Sequence, residues 1–339
     1  MKISEKVRNL VFLVEGGIGK NISATAVVRA LKKTYPDKRI IVVAGCPEVF
    51  FYNPSVYRTF NFGNPLYFYD DFVNDETVIL KNEPYLDYSY INKEKHVVES
   101  WCDQFEIICD GIEPDLFFLD SELEMAKFYV EKTQNNAKKE MILLQWIGGK
   151  VPEDKSNDKL KMSLMTMFRR SLPLIEVEKV VDYLKDKYVI GNVGHNNFPD
   201  LKDTNIVFFP IRSTLALLQY VKTFIGIDSF LQHASAAKQI NKKGLVLWGG
   251  TSPKCLGYNT HINITKEVCN TPYCHRPNSY LFDAQPNGAM WSCIHNEKCL
   301  KYTAEEIIKV FEENFQPIAI ESKEKKEVLP STCGENCKK

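Results

Sequence analysis

"VEGGIGKNIS", residues 14–23, joins an apolar run to a helix-forming one, and its reading decides the fold. Upstream, Leu10 to Val14 is a short apolar run that ends in Gly16-Gly17 and reads as a buried strand. Downstream, Ser23 to Tyr35 places Ala24, Val27, Val28 and Leu31 at helical spacing, with Lys32 and Lys33 near its end. Pro36-Asp37 is a turn, and Ile40 to Ala44 is a second buried strand. Strand, helix and strand make a βαβ unit, which implies a parallel α/β sheet. Leu66–Tyr69 and Leu116–Leu119 read as further strands of that sheet, while residues 85–109 are left unassigned.

The pattern then restarts. Thr133 to Glu140 is polar and strand-free, and a boundary is expected there. Met141–Trp146, Tyr188–Ile190, Ile206–Phe209, Thr223–Ile227 and Leu245–Trp248 read as strands. Glu176–Lys187, Thr214–Tyr220, Leu231–Lys238 and Thr303–Asn314 read as helices between or after them. Two doubly wound units follow: residues 1–136, residues 137–318, and a charged, loose tail at 319–339. The chain length of 339 residues agrees, because one core rarely fills that many.

Lys plus Arg equals Asp plus Glu at 43 each, which argues against a dedicated polyanion binder while allowing a local basic patch. Met1 to Asn9 is polar, so no signal peptide is expected, and the run at 11–14 is too short to span a bilayer. Cytoplasm, with reduced or metal-bound thiols, is the expected setting for the ten cysteines.

A glycine-rich strand-to-helix turn points backbone N–H groups at an anion. The segment GGIGK is similar to the deviant phosphate-binding loop of some ATPases, and residues 114–120 form an apolar run ending in Asp120. Two residues oppose that reading. Asn21 stands where a Mg²⁺-binding hydroxyl is needed, and Glu15 puts negative charge beside the glycines. A sugar or phosphate site ranks first, a turn without ligand second, and an ATPase third.

The wider stretch GGIGKNISATAVVRALKKTYPDKRIIVVA resembles the N-terminal signature of the ADP-heptose:lipopolysaccharide heptosyltransferase family. FIGIDSFLQHASAAKQINKKGLVLWGGTSPKCLGY resembles its donor-site signature, at Asp228, Ser229, His233, Gly250, Thr251, Pro253 and Gly257. The resemblance covers the start of the chain and roughly 205–310, and it is weak over 50–135. It implies a GT-B fold: two Rossmann-like domains facing across a cleft, acceptor on the first and nucleotide-sugar on the second.

On that resemblance, Gly16, Gly17 and Gly19 face the acceptor. Asp228, Ser229, His233 and Thr251 hold the donor, with the N–H groups of residues 230–232 toward its phosphate. Ser213 and Thr214 read as a helix N-cap pair first and donor contacts second. A leaving diphosphate needs positive charge, for which Arg170, Arg169 and Lys150 are the candidates. The family carries a proposed general-base Asp where this chain has Lys20, a poor base unless strongly desolvated. Glu15 is the replacement carboxylate, Lys20 becomes a holder of an anionic acceptor or donor phosphate, and Asp70-Asp71 are the weaker choice.

Cys269, Cys274, Cys293 and Cys299, with His275 and His295 among them, read as buried reduced thiols first, structural zinc second and disulfides third. The function implied is an inverting, metal-independent glycosyltransferase that needs no cofactor beyond its nucleoside-diphosphate sugar. Its acceptor is a surface glycan by the family pattern. The GGIGKN version resembles viral sequences, for which a hydroxymethylated pyrimidine of DNA is the alternative acceptor and the host cytoplasm the setting. A flipped base would stack on aromatics drawn from Phe60, Phe62, Tyr67, Tyr69, Phe72, Tyr85, Tyr88 and Tyr90. An inactive nucleotide-sugar binding module is the other alternative.

Overall fold

The computed structural model describes residues 3–63, 65–148, 171–194, 201–207, 209–269, 273, 295 and 298–317. Among these residues two sheets form, and every strand pairing in both is parallel. The first contains β1 (Asn9–Val14), β2 (Arg39–Ala44), β3 (Arg58–Asn61) and β4 (Thr77–Leu80) in the order β3-β2-β1-β4. The second contains β5 (Glu140–Leu144), β6 (Tyr188–Val193), β7 (Asn205–Val207), β8 (Thr223–Ile227), β9 (Leu245–Leu247) and β10 (Ile262–Ile264) in the order β10-β9-β8-β5-β6-β7. In each sheet the chain winds outward from its first strand, then returns to that strand's other side. The strand order therefore reverses between β1 and β4, and again between β5 and β8. Ligands of open parallel sheets bind beside the carboxyl ends at such reversals.

The helices are α1 (Ile18–Thr34), α2 (Phe68–Phe72), α3 (Tyr88–Ile91), α4 (Val97–Gln104), α5 (Asp120–Ala137), α6 (Leu174–Leu184), α7 (Ile211–Leu217), α8 (Phe230–Ser235), α9 (Pro253–Leu256) and α10 (Ala304–Asn314). Helix α1 is covered almost all round, from Asn21 to Leu31 with only Arg29 half-buried. It packs on α4 and on α8 of the second unit, so residues of both sheets share one apolar cluster. Small residues make that approach possible: Ala24, Thr25 and Ala26 keep the helix slim. At Gly19 a Cβ would lie 3.0 Å from the His233 ring.

Two expectations need correction. Leu66–Tyr69 is not a strand; Phe68 and Phe72, four residues apart, bury one helical face of α2 against Phe60. The strand places beside β2 and β1 go instead to the short segments RTFN and TVIL. Leu116–Leu119 is extended but joins no ladder, because its backbone takes side-chain partners. Asp115 N–H donates to Thr25 Oγ1 at 2.8 Å and Leu116 N–H to Gln239 Oε1 at 2.8 Å. Asp120, the end of the supposed phosphate-loop partner strand, is exposed and opens α5. The polar stretch 133–137 is the last turn of that helix, which packs on α7 and on β5 and β6.

Arg212 ties these parts together. Its guanidinium makes a bidentate pair with Glu122 at 2.6 and 2.5 Å and donates to the carbonyls of Glu48 at 3.0 Å and Phe117 at 2.8 Å. It also lies 5.1 Å from the Tyr52 ring centroid and 5.3 Å from that of Phe118. The same guanidinium holds the Glu122 carboxyl below its ordinary range. Arg212→Ala is expected to lower unfolding free energy by about 2–3 kcal/mol, since it removes the cation paired with Glu122 and one hydrogen bond to each of two carbonyls. Urea denaturation should show a lower midpoint at unchanged slope.

Candidate functional site

The turn after β1 is fixed by backbone geometry and one side chain. Gly16 sits at φ +106°, a conformation that other residues rarely adopt. Gly17 then caps α1 in an extended conformation. Asn21 is fully buried, and its amide donates to Gly16 O at 3.1 Å and Gly17 O at 2.9 Å while its carbonyl accepts from Cys46 N at 3.3 Å. The side chain that a phosphate-binding loop would use for Mg²⁺ is consumed in holding the turn to the loop after β2. That is the structural argument against the ATPase reading.

Lys20 is nine-tenths covered and does not reach out over the turn. Its ammonium is 2.6 Å from Glu83 Oε2, at the carboxyl end of β4, and lies 5.2 and 5.4 Å from the ring centroids of Tyr85 and Trp101. Glu83 in turn accepts from Tyr85 N–H at 3.4 Å through Oε1, and its own carbonyl accepts from Gln104 at 3.1 Å. Lys20 and Glu83 therefore span the strand-order reversal between β1 and β4. Glu15 is on the rim, half exposed, 3.3 Å from the still more exposed Lys81. Asp70 and Asp71 are exposed on α2, and Asp71 faces Arg58 at 3.7 Å.

At the second reversal, Gln145 follows β5 and Asp228 follows β8. Asp228 is 6% exposed and accepts from the Thr251 hydroxyl at 2.6 Å. Ser229 caps α8 with extended backbone and no side-chain cap bond. Among the α8 amides expected to face a phosphate, that of Leu231 already donates to Gln145 Oε1 at 3.4 Å. His233 is buried, and its Nδ1 lies 3.2 Å from Ser23 Oγ and 3.0 Å from Tyr258 Oη. It thus links α1 to the second unit directly below Gly19.

Ser213 and Thr214 are not a cap pair: Pro210 is the N-cap of α7, and Thr214 donates back to Phe209 O at 3.2 Å from inside the helix. The aromatics divide by fate. Phe60, Phe72 and Tyr90 are core, Phe62 is half-buried, Tyr85 lines the Lys20 site, and Tyr67, Tyr69 and Tyr88 are exposed. Lys150, Arg169, Arg170, Cys274 and Cys293 lie outside the described residues, whereas Cys269 and Cys299 are half-buried. Among the described residues no three His, Cys, Asp or Glu side chains converge as metal ligands. Glu83, Trp101, Gln145 and Tyr258 are the site residues that sequence reasoning missed.

No protein-family model matches the chain, and no curated protein matches it. Solved structures do. A glycosyltransferase family 9 protein from Veillonella parvula superimposes with a TM-score of 0.63 at 13% identity, over 92% of this chain and 98% of that one. The fold is that of glycosyltransferase family 9. Two further structures with this fold are similar. The E. coli dodecameric iron-containing heptosyltransferase TibC, in complex with ADP-D-beta-D-heptose, has a TM-score of 0.56 at 10% identity, over 91% of this chain and 77% of that one. The E. coli heptosyltransferase WaaC with ADP has a TM-score of 0.52 at 10% identity, over 90% of this chain and 99% of that one. No helix among the described residues is long and apolar enough to cross a membrane.

Proposed function

We propose that the chain is a glycosyltransferase that moves a sugar from a nucleoside-diphosphate donor to an acceptor hydroxyl, with inversion and without a metal. The observation that carries this reading is the pairing of two strand-order reversals. One bears the Gly16–Lys20 turn and the other bears Asp228 and Thr251. The buried Ser23–His233–Tyr258 contact draws the two together. Parallel sheets bind ligands at such points, and the family 9 fold adds that ADP-heptose and ADP sit in proteins of this shape. In this reading the units 1–136 and 137–318 face across a cleft, as in GT-B enzymes. The first takes the acceptor at Gly16, Gly17 and Gly19. The second takes the donor at Asp228, Ser229, His233 and Thr251, with Lys150, Arg169 and Arg170 supplying charge to the departing diphosphate. A carboxylate beside the turn removes the acceptor proton.

The test is a thermal-shift panel of ADP-, UDP- and GDP-sugars alongside ATP, with released nucleotide read by mass spectrometry. One sugar nucleotide is expected to raise Tm by several degrees, as about 100-fold saturation contributes roughly 2.7 kcal/mol, and slow release of its nucleoside diphosphate should follow. Stabilisation by ATP alone with phosphate release would overturn the reading. The exposed Tyr67, Tyr69 and Tyr88 favour an acceptor that stacks. Hydroxymethylated DNA therefore belongs beside glycans in the acceptor screen.

A further inference from the structure

We propose that Glu83, held in place by Lys20, is the carboxylate that takes the acceptor proton, and that Glu15 is not. This rests on the transferase reading above.

A general base must be fixed in position and reachable by the hydroxyl it serves. Glu83 meets both needs. Its carboxylate stands at the carboxyl end of β4, next to β1 across the strand-order reversal where an acceptor would enter. Oε2 is anchored by Lys20 Nζ at 2.6 Å, and that lysine is itself clamped over Tyr85 and Trp101. Trp101 is fully buried and packs edge-on against Phe12 of β1, so the clamp is continuous with the core. Oε1 has one long contact, the Tyr85 N–H at 3.4 Å, and keeps lone-pair capacity. The side chain is 29% exposed, covered enough to be held and open enough to be touched.

Glu15 lacks these properties. Its side chain is 51% exposed and its partner Lys81 is 63% exposed, 3.3 Å away. Pairs of that kind contribute little and hold little. The lysine in the glycine turn therefore does not replace a base. It is a positioning residue that brings a base from 63 positions further along the chain.

In the step proposed, the acceptor O–H gives its proton to Glu83 Oε1 as the oxygen's lone pair bonds to the anomeric carbon of the donor. The bond from that carbon to the diphosphate oxygen breaks, and its electron pair leaves with the nucleoside diphosphate.

The experiment uses the full chain with a panel of ADP-, UDP- and GDP-sugars, ADP-heptose included, and water as the acceptor. Donor affinity is read by calorimetry, turnover by nucleoside diphosphate release. Glu83→Gln preserves shape and, with its amide oxygen turned to Lys20, the shorter of the two anchors. It is expected to lower kcat about 100-fold or more with donor Kd within about threefold of wild type. Glu15→Gln should stay within about threefold in both. Lys20→Met should lose about tenfold in kcat, with Lys20→Arg recovering part of it. Glu83→Ala should regain turnover in sodium formate, which a purely structural glutamate would not do, so the test holds even if one variant is unstable. Turnover by Glu83→Gln above a third of wild type, or a loss confined to Glu15→Gln, would overturn the assignment while leaving the transferase reading intact. Failure of the wild type to bind any sugar nucleotide would instead overturn that reading, and this inference with it.

Discussion

Between pH 7.5 and pH 5 the protein is expected to lose about 3–4 kcal/mol of unfolding free energy, because two buried histidines stay neutral in the fold. Burial, with His233 close by, pushes His96 down from 6.5 to about 3. Burial pushes His261 down to about 4. Both side chains are at least nine-tenths covered. His96 Nδ1 accepts the Val98 N–H at 3.3 Å and so caps α4, while His261 Nε2 donates to Gln232 O at 2.9 Å. As pH falls below 6.5 the unfolded chain binds a proton on each histidine and the native chain does not. The native state is then disfavoured progressively until the folded values are reached. At pH 5 each site contributes about 2 kcal/mol to that loss. The depressed carboxylates, such as Glu122, act in the same direction but only from about pH 4.5 downward, outside this window. Urea titrations at pH 7.5, 6 and 5 would measure the slope, and proton uptake on unfolding should approach two per molecule at pH 5. His96→Asn keeps a capping side chain without the titration, so it should remove about half of the pH dependence. An unchanged slope in that variant would place the effect elsewhere.

The main strands were legible because parallel, doubly covered strands are apolar throughout. FLV at 12–14, IIVV at 40–43 and MILL at 141–144 could be read without tertiary knowledge. What misled was the short, partly exposed strand. RTFN and TVIL carry one buried side chain each, so their pattern is weaker than that of LYFY, which became turn and helix. The glycine turn and the Asp228 segment were legible as local signatures. Their closeness was not, since the contact of Ser23 with His233 spans 210 positions. Lys20 could be recognised as a departure, but the carboxylate that answers it comes from a different strand end. No local spacing encodes a pair made by topology.

Asn21→Ala is expected to cost about 2–4 kcal/mol and to abolish turnover, although Asn21 touches neither proposed substrate. The side chain is fully buried and makes three hydrogen bonds, to Gly16 O, Gly17 O and Cys46 N. Gly17 O keeps a second partner in the Asn21 backbone N–H at 3.2 Å, so the loss falls mainly on Gly16 and Cys46. Those two residues carry the turn after β1 and the loop after β2, and without the amide their relative position is no longer set. The isosteric variant separates hydrogen bonding from packing. Asn21→Asp fills the same volume, but it turns a donor toward two carbonyl oxygens into an acceptor, so it should be at least as destabilising as alanine. Asn21→Ser supplies the hydroxyl that a phosphate-binding loop carries, yet its short side chain cannot span from Gly16 O to Cys46 N. It should lose about 2 kcal/mol and gain no ATP hydrolysis. The comparison turns on the Asn21→Ser result: stability retained with ATP hydrolysis gained would mean that the turn is a nucleotide loop with one altered residue. Stability lost in all three variants, together with sugar-nucleotide turnover, would mean that Asn21 is the lock of an acceptor turn.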